Sequence, residues 1–246
     1  LGCAPVADDT VANSDAGQVA ATTASLDYTV GALAVAGLDD DAAVDVATVH
    51  SDAVVRTAPG GVYVVNRLLM DTVRYYPTGS GLPTWETSTD PGSNPHDAVL
   101  CGGSLFVSRY ERSSLLVLDP ADGAVRGEVD LSAFADDDGL PEVSDLVAVG
   151  DQLAVGLQRL RRLDGWTAEP NGQVVMVSCS DLAVGASYDV GPNPVVRPWD
   201  DAEVMVLATD GVRFLDVATG AADGPHWAEG AVDGWPDGQG GAVLIG

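Results

Sequence analysis

The sequence contains no lysine: its basic residues are eleven arginines, set against thirty-seven aspartates and glutamates, for a formal net charge of -26. A lysine nucleophile or Schiff base is therefore excluded. Non-specific nucleic-acid binding is excluded on charge, because it needs basic residues to displace phosphate counterions. Cysteine and histidine are scarce, at three residues each. There is no Cys-x-x-Cys-His haem attachment and no cysteine-rich zinc pattern. Nor is there a Gly-x-Ser-x-Gly elbow or a phosphate loop. No run of eighteen apolar residues occurs, so no segment reads as a membrane-spanning helix.

What is present is turn chemistry between short apolar runs. Residues 95–125 read PHDAVLCGGSLFVSRYERSSLLVLDPADGAV, in which Gly-Gly, Arg-Tyr-Glu-Arg-Ser-Ser and Asp-Pro-Ala-Asp-Gly cut runs too short for helices. The unit repeats. Asp52-Ala53-Val54, Asp97-Ala98-Val99 and Asp145-Leu146-Val147 open equivalent runs, the last two 48 positions apart. Gly92-Ser93-Asn94-Pro95 returns 99 residues later as Gly191-Pro192-Asn193-Pro194. Leu118-Asp119-Pro120-Ala121-Asp122-Gly123 returns 97 residues later as Leu215-Asp216-Val217-Ala218-Thr219-Gly220. Both separations are about twice one repeat, and a period of 40–50 residues built from short strands predicts an all-β propeller of four-stranded antiparallel blades.

With 46% hydrophobic residues most of the 246-residue chain can bury a core, and the repeats favour one array over two domains. The first clear blade spans 52–89, with strands at 53–57, 62–66, 72–76 and about 84–87. The second ends at 127–131. The third starts near Pro141 and is interrupted by an insertion from Arg159 to Gly172. The fourth runs from Pro194 through 204–208 and 212–216 without a legible fourth strand, and 242–245 reads as the second strand of a fifth. Earlier, 28–35 and 44–49 read as strands, one of which could close the ring. Seven blades at this period need roughly 300 to 340 residues, so the expectation is a partial ring or a piece of a larger propeller.

Residues 1–27 are rich in Ala, Asp, Thr and Ser and predict a flexible tether ahead of a single domain at 28–246. The opening Leu1-Gly2-Cys3 resembles the end of a bacterial lipoprotein signal, which implies a lipid on Cys3, export, and membrane contact through that lipid alone. Cys101 and Cys179 then stand either as a disulfide of an oxidising compartment or as two separate thiols.

Two segments carry a family resemblance. Val62-Tyr63-Val64-Val65-Asn66-Arg67 followed by Asp71-Thr72-Val73-Arg74-Tyr75-Tyr76 resembles the Tyr-Val-Thr-Asn (YVTN) repeat of bacterial surface and periplasmic propellers. So does Leu105-Phe106-Val107-Ser108-Arg109 followed by Ser114-Leu115-Leu116-Val117-Leu118-Asp119. The resemblance is strong over 52–130 and implies fold and a place in the bacterial cell envelope. It matches no catalytic set from the binding scaffolds, lactonases or oxidoreductases of this shape.

Propeller topology puts the loops between second and third strands on one face with the loops joining successive blades. That face is expected to hold Arg67, Arg109, Arg112, Arg159, Arg161 and Arg162, joined by His96 and Asp97. Such arginines either attract a carboxylate, a phosphate or an acidic protein segment, or pair locally with the plentiful carboxylates. His96, followed by an aspartate, is either a ligand or base, or a structural histidine. Asp136, Asp137 and Asp138, the Asp119/Asp122 turn, and Asp39-Asp40-Asp41 offer hard oxygens for calcium, or are solvated turns; no other cofactor is required. The reading is a non-catalytic exported scaffold for a protein or small anionic ligand. The alternative is a metal- or cofactor-dependent enzyme, lactonase-like or an oxidoreductase, centred in the channel mouth.

Overall fold

Pro59-Gly60, Gly102-Gly103 and Gly150-Asp151 each separate two apolar runs, and each forms a hairpin turn whose glycines take positive φ. A computed structural model describes residues 18–37, 44–226, 233–237 and 241–245. Three strands come first: β1 (Gln18–Ala24), β2 (Gly31–Gly37) and β3 (Val44–Val49). Next are β4 (Ala53–Ala58), β5 (Gly61–Asn66), β6 (Thr72–Pro77) and β7 (Trp85–Ser88). Then come β8 (Pro95–Cys101), β9 (Ser104–Arg109), β10 (Ser114–Leu118) and β11 (Val125–Asp130). The third unit has β12 (Val143–Val149), β13 (Gln152–Leu157), the small hairpin β14 (Leu160–Arg161) and β15 (Thr167–Ala168), then β16 (Gly172–Ser178) and β17 (Val184–Gly191). The last strands are β18 (Val195–Pro198), β19 (Glu203–Ala208), β20 (Gly211–Asp216), β21 (Ala222–His226), β22 (Asp233–Pro236) and β23 (Ala242–Ile245).

Apart from the β14–β15 hairpin they form six antiparallel sheets: sheet I (β1-β2-β3), sheet II (β4-β5-β6-β7), sheet III (β8-β9-β10-β11), sheet IV (β12-β13-β16-β17), sheet V (β18-β19-β20-β21) and sheet VI (β22-β23). The second strands β5, β9, β13 and β19 are buried on both faces, so they read as unbroken apolar runs instead of alternating. The fourth strands β11, β17 and β21 are largely exposed and carry Gly, Asp and Glu. Burial therefore peaks at the second strand of each four-stranded sheet and falls toward the fourth.

Between sheets the filling differs. Tyr63, Trp85, Leu105, Leu116 and Leu118 pack between sheets II and III. Phe106, Leu115, Leu131, Leu153 and Leu157 pack between III and IV. A Cys101–Cys179 disulfide, with Cα atoms 5.5 Å apart, also joins III to IV. Gly102 is required there, because a Cβ on it would lie 2.9 Å from the Cys179 Cβ. Between I and II the buried set is Leu33, Val49, Val64 and Tyr76.

Three sequence readings change. Residues 18–24, read as tether, form β1. The strand read at 28–35 runs instead over Gly31–Gly37, after a turn with Tyr28 at positive φ. The missing fourth strand of sheet V is β21, whose Ala-Asp-Gly-Pro-His has no alternation to betray it. Cys3 and Asp39 to Asp41 lie outside the described residues. Residues 50–52 link β3 to β4 as tersely as 192–194 link β17 to β18. Thr22 Oγ1 donates to the Ala53 carbonyl at 2.8 Å, as Ser108 Oγ does to the Ser144 carbonyl at 2.7 Å. Strands β1–β3 thus take the second, third and fourth positions of a blade.

Candidate binding face

The loop after β5 is held from beneath. Asp71 accepts from the Gly92 and Asn94 amides at 2.7 and 2.8 Å, and the Leu68 amide donates to Asn94 Oδ1 at 3.1 Å. Leu68, Leu69 and Asp71 all take positive φ, which is costly for side chains other than glycine. The result is that Leu68, Leu69 and Met70 project into solvent, Leu69 with 86% of its surface exposed.

On the neighbouring sheet, Tyr110 is buried at the end of β9 and stacks on His96, with ring centroids 4.3 Å apart and 11° between planes. Its hydroxyl donates to Gln158 Oε1 at 2.8 Å. Burial, helped by the nearby Arg67 charge, lowers the His96 pKa to about 3. His96 is thus neutral at physiological pH, and its buried Nε2 has no hydrogen-bond partner among the described residues.

The insertion crosses the other side of Tyr110. Arg162 lies 5.6 Å from the Tyr110 ring centroid and 5.0 Å from that of Trp166. Its guanidinium bonds Glu111 and reaches Glu142 Oε1 and Asp138 Oδ2, each at 3.1 Å. Glu142 is fully buried and secures the base of the insertion three ways: its carbonyl accepts from the Gln158 amide, Oε2 from the Leu160 amide, and Oε1 from Arg162. Burial pushes its pKa up to about 7; the Leu160 amide and Arg162 oppose the rise, while Asp138 and Asp136 add to it. Beyond this anchor Leu163 and Trp166 stand exposed, by 94% and 53%.

Carboxylate oxygens of Asp136, Asp138 and Glu142 lie within 4.8 Å of one another. Burial, with Asp138 reinforcing it, raises the Asp136 pKa. Asp137 is exposed and outside the group. Glu142 escaped sequence reading, although Pro141-Glu142 directly follows the acidic loop. Asp119 and Asp122 cap their own turn, accepting from the Ala121 and Ala124 amides, and Asp119 pairs with Arg126 at 2.7 Å. They do not approach the other acidic loop's group.

The arginines expected at the mouth are mostly occupied. Arg109 is 1% exposed and bonds Asp90, Glu128 and Ser114, so it faces the outer strands. Its register counterpart is Asn66, the last residue of β5, and not Arg67; the one-residue slip turns it inward. Arg67 pairs with Asp52 at 3.3 Å, and Arg161 with Glu169. Arg112 donates to the Pro91, Gly92 and Glu111 carbonyls, and Arg159 to that of Asn171.

Asp97 is not a mouth residue but part of a belt along the innermost strands. Arg56 on β4 reaches it at 2.5 Å, and its other oxygen accepts from the Leu146 amide of β12 at 3.0 Å. Arg197 on β18 bonds Asp145 of β12 at 2.7 Å and Asp233 of β22 at 2.6 Å. Asp97 and Asp145 sit in equivalent β-bulges, which re-aim their side chains. Arg56 and Arg197 share a register too, opposite Tyr63 and Met205, the third residues of β5 and β19. Burial raises the Asp145 pKa although Arg197 opposes it; burial works against the Arg197 charge, but Asp145 and Asp233 more than restore it. A charge interrupting Val54-Val55-Arg56 and Val195-Val196-Arg197 was the available sequence clue.

No family model and no curated protein sequence matches this chain. Its fold does match solved structures. The WD40 β-propeller domain of Doa1 is 11% identical, with a TM-score of 0.62 over 91% of this chain and 74% of that one. BamB from Moraxella catarrhalis is 13% identical, with a TM-score of 0.53 over 87% of this chain and 66% of its own. Saccharomyces cerevisiae Sqt1 is 11% identical, with a TM-score of 0.63 over 89% and 60%. The chain thus spans less than two thirds of the latter two. At such identities the likeness reaches the fold and nothing finer: this is a β-propeller, of which the described sheets form part of a ring.

Proposed function

We propose that this chain is part of an exported bacterial propeller, lipid-anchored through Cys3, that serves as a non-catalytic scaffold for a protein partner. The observation that carries the reading is one face with two exposed apolar projections, Leu68-Leu69-Met70 and Leu163/Trp166, flanking the Tyr110–Arg162 stack. Exposed aromatic and aliphatic side chains beside a stacked arginine have the composition of a protein-binding hot spot. The arginines of this face are already engaged by carboxylates and carbonyls, which favours an apolar protein contact over a small anion. The Cys101–Cys179 disulfide supports an oxidising compartment.

The test is a photo-crosslinking residue placed at Leu69 or Trp166 in the producing cells, with Val125, exposed on the opposite face, as control. A discrete adduct from 69 and 166 and none from 125 is expected; equal labelling at 125, or none anywhere, refutes the scaffold reading. Loss of metabolic lipid labelling in Cys3→Ser tests the anchor separately.

A second reading, favoured by the Asp136, Asp138 and Glu142 group, is a bound calcium. Arg162 already pairs with Asp138 and Glu142, so a calcium ion would compete with its guanidinium for those oxygens. A melting temperature unchanged by chelator and by added calcium would remove this reading.

A further inference from the structure

We propose that the cleft between sheets I and II is a binding site for an uncharged small molecule with both apolar and polar parts. It lies on the face opposite the loops discussed above and is independent of the scaffold reading. The cavity has a volume of about 420 Å³, and its wall joins apolar side chains, Leu33, Val35, Val46, Val55, Val62 and Tyr76, to a comparable share of polar surface. Thr57 and Thr78, both exposed, and Ser80 also line it. Among the described residues, no charged side chain lines it.

The comparison with the next interface shows why the space exists. Between sheets II and III the gap is filled by Tyr63, Trp85, Leu105, Leu116 and Leu118. Between I and II the corresponding filling is Val, Ala and one leucine, with Tyr76 against the wall. Interiors are close-packed, and an unfilled apolar cavity costs stability in proportion to its volume. This one is open to solvent, and its size falls within the roughly 300–1,000 Å³ of small-molecule pockets, which join apolar walls to a few polar groups. The Thr57 and Thr78 hydroxyls suit hydroxyl or carbonyl groups on the ligand, while that of Ser80 is engaged with the Leu82 backbone. Among the described residues an ionised ligand would find no counter-ion there.

The probe is N-phenyl-1-naphthylamine, an uncharged apolar fluorophore, titrated into the intact chain. A saturable one-to-one rise in emission is expected. Val55→Phe, which fills the cavity, weakens it at least tenfold, and Thr57→Arg, which puts a charge on the lining, about threefold or more. The Leu69→Ser/Trp166→Ser double variant leaves it unchanged. The proposal is overturned if no saturable rise occurs, if the rise survives both cavity variants, or if it is lost in the loop-face variant, which would place the probe on the other face. Should circular dichroism show that Val55→Phe does not fold, Thr57→Arg decides.

Discussion

Sheets III and IV meet through large side chains, a disulfide and a buried aspartate, whereas sheets I and II meet through valine and alanine around an open cleft. Both pairs stack antiparallel sheets of sequential strands, but sheet I has three described strands where the others have four. The difference teaches that the wedge between blades becomes core where complete sheets meet through large side chains, and stays a cavity where a three-stranded sheet faces its neighbour with small ones.

The largest effect expected comes from cutting the belt on the filled side. Asp97→Ala strands Arg56 and the Leu146 amide, and the loss should be about 3–5 kcal/mol; chemical denaturation measures it. Next, Leu153→Ala in the III–IV core should cost about 2–5 kcal/mol, against about 1 kcal/mol for Val62→Ala beside a cleft that already exists. Equal losses would erase the contrast. The Cys101→Ser/Cys179→Ser double variant should lose about 2–4 kcal/mol, read as the drop in unfolding midpoint.

The smallest effect is one of pH. Glu142 has a folded pKa of about 7 against an ordinary 4.5, so the folded protein binds this proton more tightly than the unfolded chain. Its contribution to stability therefore rises as pH falls from about 8 toward 5, by on the order of 1–3 kcal/mol. The carboxylates with lowered pKa, Glu128 and Asp210 among them, stay ionised across this range, but His96, at about 3 against an ordinary 6.5, works the other way, because only the unfolded chain takes up its proton as pH falls. Melting temperature followed between pH 5.5 and 8 should change little in the wild type, where Glu142 and His96 oppose one another, and fall on acidification in Glu142→Gln.

The blades were legible because glycine turns and doubly buried second strands are local features of sequence. The face was legible in part: topology places Arg67, His96 and the insertion together, and the structure brings Tyr110 between them. Arg109 was misplaced because its role turns on one step of register, which composition does not reveal. The belt was hidden for another reason. Arg56 and Asp97 are 41 residues apart, and Arg197 and Asp145 are 52 apart, so the pairs exist only once the sheets are docked. Glu142 likewise shows its meaning only through the insertion it holds.

Repeat arrays are commonly treated as a row of units, each sensing only its neighbours, so that ends fray while the middle persists. Arg197 grips sheets IV and VI from sheet V, and Asp97 grips II and IV from III. Pulling sheet III, IV or V out of the row would therefore release two contacts at once. Denaturation of this stretch should pass through a single transition, with no plateau at which one blade has melted alone.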